Sequence, residues 1–303
     1  MNKIDKKEKL PIKGYLFLVA TAFFTALSYA IGKALERNDL HPETTTFFWF
    51  FGAFVVALIL FPFLRSQRKE LRRIREYRAI FIWSSVITSA GAALWMVALW
   101  TIGPALTSFL MKAQTLFALL LGIIFLGERL NKGESVGIAL TVAGGAVVAY
   151  QREDYLIFGT AMAIGAAFLY SFLSFMVKKI AQDLNMLTVA TLRTLGVSIV
   201  LFIYLILTGT FEPPNLKQAL VMACGGACGA YIAKGSQFHA IKLLDISRTT
   251  AVMPMESIFV LIFAHVFFDD LPSLTKLLGG TSIIIGVVFL VLFRGQKNDI
   301  LGK

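Results

Sequence analysis

Charged residues are scarce in this chain. They make up 16% of its 303 residues, whereas a soluble globular chain carries about 25%, so there is too little charge to face water on every side. Cysteine is nearly absent: Cys224 and Cys228 are the whole supply, and they share one apolar run. That excludes a disulfide framework and a thiolate zinc site. Histidine is almost as rare, and His41, His239 and His265 have no metal-ligand spacing, so no metal and no cofactor is expected. No phosphate-binding loop is present, so the chain brings no ATP hydrolysis of its own. Hydrophobic residues fill the space instead, at 57% with a mean hydropathy of +0.74. Ten spans of about 20 residues would take up roughly two-thirds of such a chain. The net charge of +11 does not point to nucleic acid, because the basic residues lie between apolar runs rather than on one solvated face.

The first apolar run, from Gly14 to about Leu35, follows a basic start with Lys3, Lys6, Lys7, Lys9 and Lys13. It is too long for the core of a cleaved signal peptide, and no small-residue cleavage site follows it. It is expected to remain as a transmembrane helix. Nine more spans are expected near 44–64, 79–101, 105–126, 134–150, 156–180, 187–208, 216–239, 246–267 and 275–293. Short connections such as Ile102-Gly103-Pro104 make neighbouring spans antiparallel. With the N-terminus in the cytoplasm, 21 of the 29 Lys and Arg residues fall on the inner side and four on the outer side. Without the basic loop at 65–78 the ratio is still 14 to 4. This bias places both termini inside and requires an even number of spans. The expected location is a cell membrane, most simply the inner membrane of a prokaryote.

The sequence repeats itself. A shift of 142 carries Ala98 onto Ala240, Thr107 onto Thr249, Met111 onto Met253, Phe117 onto Phe259, Gly137 onto Gly279 and Gly144 onto Gly286. A shift of 145 carries Gly14 onto Gly159 and Lys33 onto Lys178. The expected fold is therefore all-α, with two five-helix repeats at 1–150 and 151–303 and ten transmembrane helices in total. An odd number of helices per repeat inverts the second repeat relative to the first. Inverted repeats with a site at the midplane are an architecture of secondary transporters.

Three stretches of the first half, A-L-W-T-I-G-P-A-L-T-S-F at 98–109, F-L-G-E-R-L at 125–130 and G-I-A-L-T-V-A-G-G at 137–145, have counterparts along Phe238–Val291. In these the chain resembles the drug/metabolite transporter superfamily, in its EamA-domain branch. The resemblance implies ten helices, a central cavity that opens alternately to each side, and export or exchange of small metabolites. Two departures stand out. Asp269-Asp270 replaces the Gly-Glu pair that the resemblance leads one to expect, and Lys112 stands where the other half has Pro254.

Four cations, Lys33, Lys112, Arg193 and Lys234, and one carboxylate, Glu256, fall within or near spans. Each costs at least ~2.5–3.5 kcal/mol at a helix centre, so each should face the interior, a partner or water. By depth, Lys33 belongs at the outer interface, Lys112 and Glu256 near the midplane, and Arg193 and Lys234 toward the inward mouth. Lys112 and Gln114 match Pro254 and Glu256 across the repeat. Three roles stay open for Lys112 and Glu256: contact with solute, a direct ion pair between helices, or local satisfaction of backbone groups freed by Pro254. Trp95 and Tyr170 are further candidates for the pathway lining, Tyr170 sharing a face with Ser174. The partners expected are a small solute with an anionic group, the lipid bilayer and a coupling proton. Amino acids and other zwitterions fit if Glu256 is free, and carboxylated or phosphorylated metabolites fit if it is paired. The alternatives are an intramembrane lipid-modifying enzyme and a channel or scaffold. Neither a second acidic cluster nor a repeated ring of charge supports them.

Overall fold

A computed structural model describes residues 12–36, 40–60, 75–126, 132–149, 154–180, 184–243 and 254–301. Among them there is no strand. The helices are α1 (Ile12–Ala34), α2 (Pro42–Leu60), α3 (Arg78–Met111), α4 (Ala113–Leu126), α5 (Lys132–Ala149), α6 (Asp154–Ile180), α7 (Met186–Thr208), α8 (Leu216–Gly226), α9 (Lys234–Leu243), α10 (Pro254–Phe268) and α11 (Leu274–Leu301). A π-helical segment, Ala227–Ala233, joins α8 to α9 in one continuous rod. Among the described residues seven helices are long and apolar enough to cross a membrane, and α10 is a shorter apolar helix. The basic loop at 65–73, the Gly127–Leu130 element and the start of the span expected at 246–267 lie outside the described residues.

The outside of the bundle is apolar, and hydroxyl side chains are buried inside it among apolar ones. Leu58, Ile124, Ile203, Leu207, Ile262 and Leu292 are exposed, while Thr44, Thr88, Thr107, Ser108, Thr194 and Ser257 are buried. Water would penalise that many exposed apolar side chains, whereas a lipid solvent has no reason to expel them. The buried hydroxyls are satisfied locally in many places, as when Thr107 donates to Gly103 O (2.7 Å) and Ser198 to Thr194 O (2.8 Å).

α3 is two arms rather than one rod. Gly103 has φ 79° and ψ 168°, far from helical values. Pro104 then opens the second arm, where its fixed φ suits a helix start and its missing N–H is no loss. The packing against α6 gives the direction. Tyr170 lies 3.6 Å from the place a Cβ on Gly91 would take, and its carbonyl accepts from Gln114 Nε2 at 3.2 Å. A straight helix would put residues 91 and 114 ~35 Å apart, so the chain doubles back at Gly103. This matches the antiparallel neighbours expected from the Ile102-Gly103-Pro104 connection.

α5 and α11 pack closely. A Cβ on Gly137 would lie 2.8 Å from Gly286 O, and one on Gly144 would lie 2.5 Å from Gly279 O. Without water between helices, close van der Waals contact holds such a pair together, and it needs residues without bulk. The Ser282 hydroxyl donates to Leu140 O at 3.1 Å across the same seam. Under the shift of 142, residue 140 corresponds to residue 282 itself, and Gly137 meets the counterpart of Gly144.

α7 starts at Asn185, whose side chain accepts from Leu187 N at 3.0 Å, and ends at Gly209 in the left-handed conformation (φ 68°). α8 begins with a reciprocal cap between Asn215 and Gln218. α10 ends at Asp269, which takes φ 50°, while the Asp270 N–H donates to Ala264 O at 3.2 Å. Aspartate tolerates this region better than most residues, so Asp269 performs the backbone task for which glycine is the usual choice.

Candidate functional site

The helix that follows Pro104 is interrupted once more, at Lys112. Its N–H donates to Phe109 O at 3.0 Å and its carbonyl accepts from Thr115 N at 3.0 Å. These are tight i→i+3 turns inside an otherwise α-helical run. The matched residue, Pro254, opens α10 and puts Glu256 in that helix's first turn. Lys112 Nζ and Glu256 Oε1 are 3.0 Å apart, with side chains 5% and 8% exposed. Ser257 Oγ, one residue on, points at Ser108 O across the same contact at 3.4 Å.

Arg193 is among the buried residues of α7, as are Thr191, Thr194 and Ser198. It is 2% exposed, the largest fully buried side chain described. One guanidinium nitrogen donates to Ala230 O at 2.5 Å, the plane lies 5.6 Å from the Phe50 ring centre, and Nε has no hydrogen-bond partner. The acceptor belongs to the π segment. Its altered ladder gives two carbonyls outside donors, since Thr21 Oγ1 also donates to Ala233 O at 3.3 Å. Lys234 follows directly. Its ammonium donates to Gln237 Oε1 at 2.9 Å and sits 5.4 Å from the Tyr170 ring centre, within cation–π range.

These groups form one cluster. Lys234 interacts electrostatically with Arg193, Glu256 and Lys112, Arg193 with Tyr170, and Tyr29 with Glu256 and Tyr170. Gln114 is bonded to Tyr170 O and to Ser174 Oγ (2.9 Å), which fixes α4 to the Tyr170 turn of α6. Trp95 stands edge-on to Tyr29 at 5.1 Å and tilted to Trp49 at 6.0 Å. Trp95 and Trp100 point from different faces of α3, yet both reach Gly32 on α1, because Trp100 Nε1 donates to Gly32 O at 3.0 Å. Lys33 is outside the cluster and pairs with Glu36 at the end of α1. Tyr29, Gln237 and the Ala230 carbonyl join the candidates read from the sequence.

The depth estimates from sequence separated Arg193 and Lys234 from the Lys112–Glu256 level. In the folded chain Lys234 interacts with the other three. The outcome is three cations and one carboxylate, and of these three cations only Lys112 forms an ion pair among the described residues. Among the described residues no three or more His, Cys, Asp or Glu side chains come together as a metal site.

An apolar-skinned helical bundle with buried charge at its centre has the make-up of a multi-pass membrane transporter. The EamA-like transporter family model matches this chain twice, over residues 12–150 and 157–292. The chain belongs to that family. An uncharacterized transporter of Methanothermobacter thermautotrophicus is 22% identical, over 93% of this chain and 87% of its own length. One of Haemophilus influenzae is 21% identical over 84% of each. YojE of Bacillus subtilis, also an uncharacterized transporter, is 24% identical over 75% of this chain and 72% of its own length. A solved crystal structure at 16% identity has a TM-score of 0.61, with 94% of this chain and 97% of that one aligned, and so shares the fold.

Proposed function

We propose that this chain is a secondary transporter that carries a small solute with an anionic group across a cell membrane by alternating access. The charge inventory of the core carries the reading. Lys112, Arg193 and Lys234 share one environment with Glu256, and Lys112 already holds that carboxylate at 3.0 Å. A buried cation without a counter-charge is costly. A carboxylate or phosphate arriving between Arg193 and Lys234 supplies the missing charge and gains charge-assisted hydrogen bonds. The Lys112–Glu256 pair closes the midpoint beside them, and Glu256 is the group that a coupling proton would reach.

The architecture that suits this task is ten helices in two inverted five-helix repeats, residues 1–150 and 151–303, with both termini cytoplasmic. Four observations support it. The family model falls once on each part. Gly137 meets Gly286 and Gly144 meets Gly279, as a two-fold axis between inverted halves requires. The interruption at Lys112 falls on the position that matches Pro254, and broken helices near the midplane are where transporters of this kind bind. The 21 to 4 distribution of basic residues supports the orientation. The prokaryotic inner membrane is the simplest setting.

Counterflow in proteoliposomes tests the function, with radiolabelled succinate and glutamate against the uncharged dimethyl ester of succinate. The expected result is saturable anion uptake stimulated by the same anion inside, with no counterflow of the ester. Arg193→Gln and Lys234→Met are each expected to weaken half-saturation by about ten- to a hundredfold, the worth of one hydrogen bond to a charged group. An intramembrane enzyme, a scaffold or a channel gives no trans-stimulation, and that result would overturn the proposal.

A further inference from the structure

A pocket lies away from the charged centre, where α1 ends, α3 reverses and α11 begins. It holds about 340 Å³, within the size range of small-molecule sites. Four charged residues line it: Lys33, Glu36, Asp270 and Lys276. Lys33 and Glu36 neutralise each other as an ion pair. Asp270 and Lys276 have neither an ion-pair partner nor a side-chain hydrogen bond among the described residues. Asp270 is nonetheless held in place. Its N–H is tied to Ala264 O, and its Oδ2 lies 3.4 Å from where a Cβ on Gly103 would stand. The left-handed turn at Asp269 directs this acid to the reversal in α3. Trp100 supplies an apolar wall, its own N–H being already spent on Gly32 O.

We infer that this pocket is a second binding site, which takes a small molecule bearing both an ammonium and a carboxylate on its way to the centre. The ammonium faces Asp270, the carboxylate faces Lys276, and the remainder lies along Trp100. The inference rests on the transporter reading and narrows its solute class. Physically the two sites differ in sign balance. The centre has three cations to one carboxylate and accepts any anion of the right size. The outer pocket has two of each sign, and a dianion entering it meets an unneutralised Asp270. The pocket therefore favours the zwitterion over the dianion before either reaches Arg193 and Lys234.

The test is counterflow with two probes: an equimolar mixture of radiolabelled L-amino acids, and succinate, which has no ammonium. Half-exposed charges interact weakly, so the effects are modest. Asp270→Asn is expected to raise the half-saturating concentration of amino acids about three- to tenfold and to lower that of succinate. Asp270→Glu keeps the wild-type order. Lys276→Met raises the value for both probes, because both carry a carboxylate. Both residues are at the bundle end, and equal melting temperatures for wild type and variants check that folding is unaffected. If Asp270→Asn shifts the two probes in the same direction, or shifts neither, the inference is overturned. Wild-type protein that carries succinate but no amino acid overturns it too and leaves the transporter reading standing. Transport of neither probe removes both.

Discussion

Lys112 and Glu256 illustrate how a single contact in a low-dielectric core acts on stability and transport separately. Losing one partner of a buried pair leaves the other charge stranded, which costs ~3–5 kcal/mol, whereas replacing both with neutral groups of similar size is close to neutral. Lys112→Met and Glu256→Gln are each expected to lower the melting temperature strongly, and the double variant to recover it. Transport should return with folding in the double variant, because Arg193 and Lys234 still hold the anion. A double variant that melts like wild type but shows no counterflow would move Lys112 or Glu256 into contact with solute. Asp269 makes a different point at the same scale. Its left-handed φ of 50° explains why a glycine is the expected residue there and why a short acid can stand in for it. The Asp269-Asp270 departure thus keeps both the turn and the carboxylate.

At the scale of elements, the reversal in α3 and the interruption at Lys112 differ in how they are encoded. Gly103, at φ 79° and ψ 168°, occupies a region that essentially only glycine enters, at a cost to other residues of about 1–3 kcal/mol. Gly103→Ala is therefore expected to lower the melting temperature of the purified protein in detergent. Gly145→Ala, with nothing within 4 Å of the new methyl, should leave it unchanged or raise it slightly, since alanine favours a helix by about 0.5–1 kcal/mol. Equal losses for the two would show that the turn stores no strain. The Gly-Pro signal is written in adjacent residues and could be read directly. The break at Lys112 could not. Ala105 to Leu126 reads as one apolar run, and its partner across the break, Glu256, lies more than a hundred residues away in the chain. The π segment is hidden for a similar reason. Small residues at 225–230 announce close packing, but the donors that reach its carbonyls, Arg193 and Thr21, come from α7 and α1.

The arrangement of the whole molecule follows from a few global properties that composition already displays. Low charge, apolar runs and the basic bias speak for a membrane bundle, and residues with matched spacing speak for a duplication. Which charges meet is decided by packing, and there counting depth along straight helices separated Arg193 and Lys234 from the centre they share. Orientation is tested at this scale. In a chain lacking Cys224 and Cys228, Glu212→Cys should react with an impermeant maleimide added outside cells, and Glu70→Cys should be protected. Reaction at 70 with protection at 212 would turn the molecule over and exchange the sides assigned to the pocket lined by Asp270.

The turn at Gly103 also bears on how the chain is made. During synthesis, two apolar arms joined by Ile102, Gly103 and Pro104 offer the insertion machinery no polar stretch to release between them. The first arm therefore has no resting place as a lone span. It is expected to enter the bilayer together with the segment that follows, as a helical hairpin rather than as a single helix.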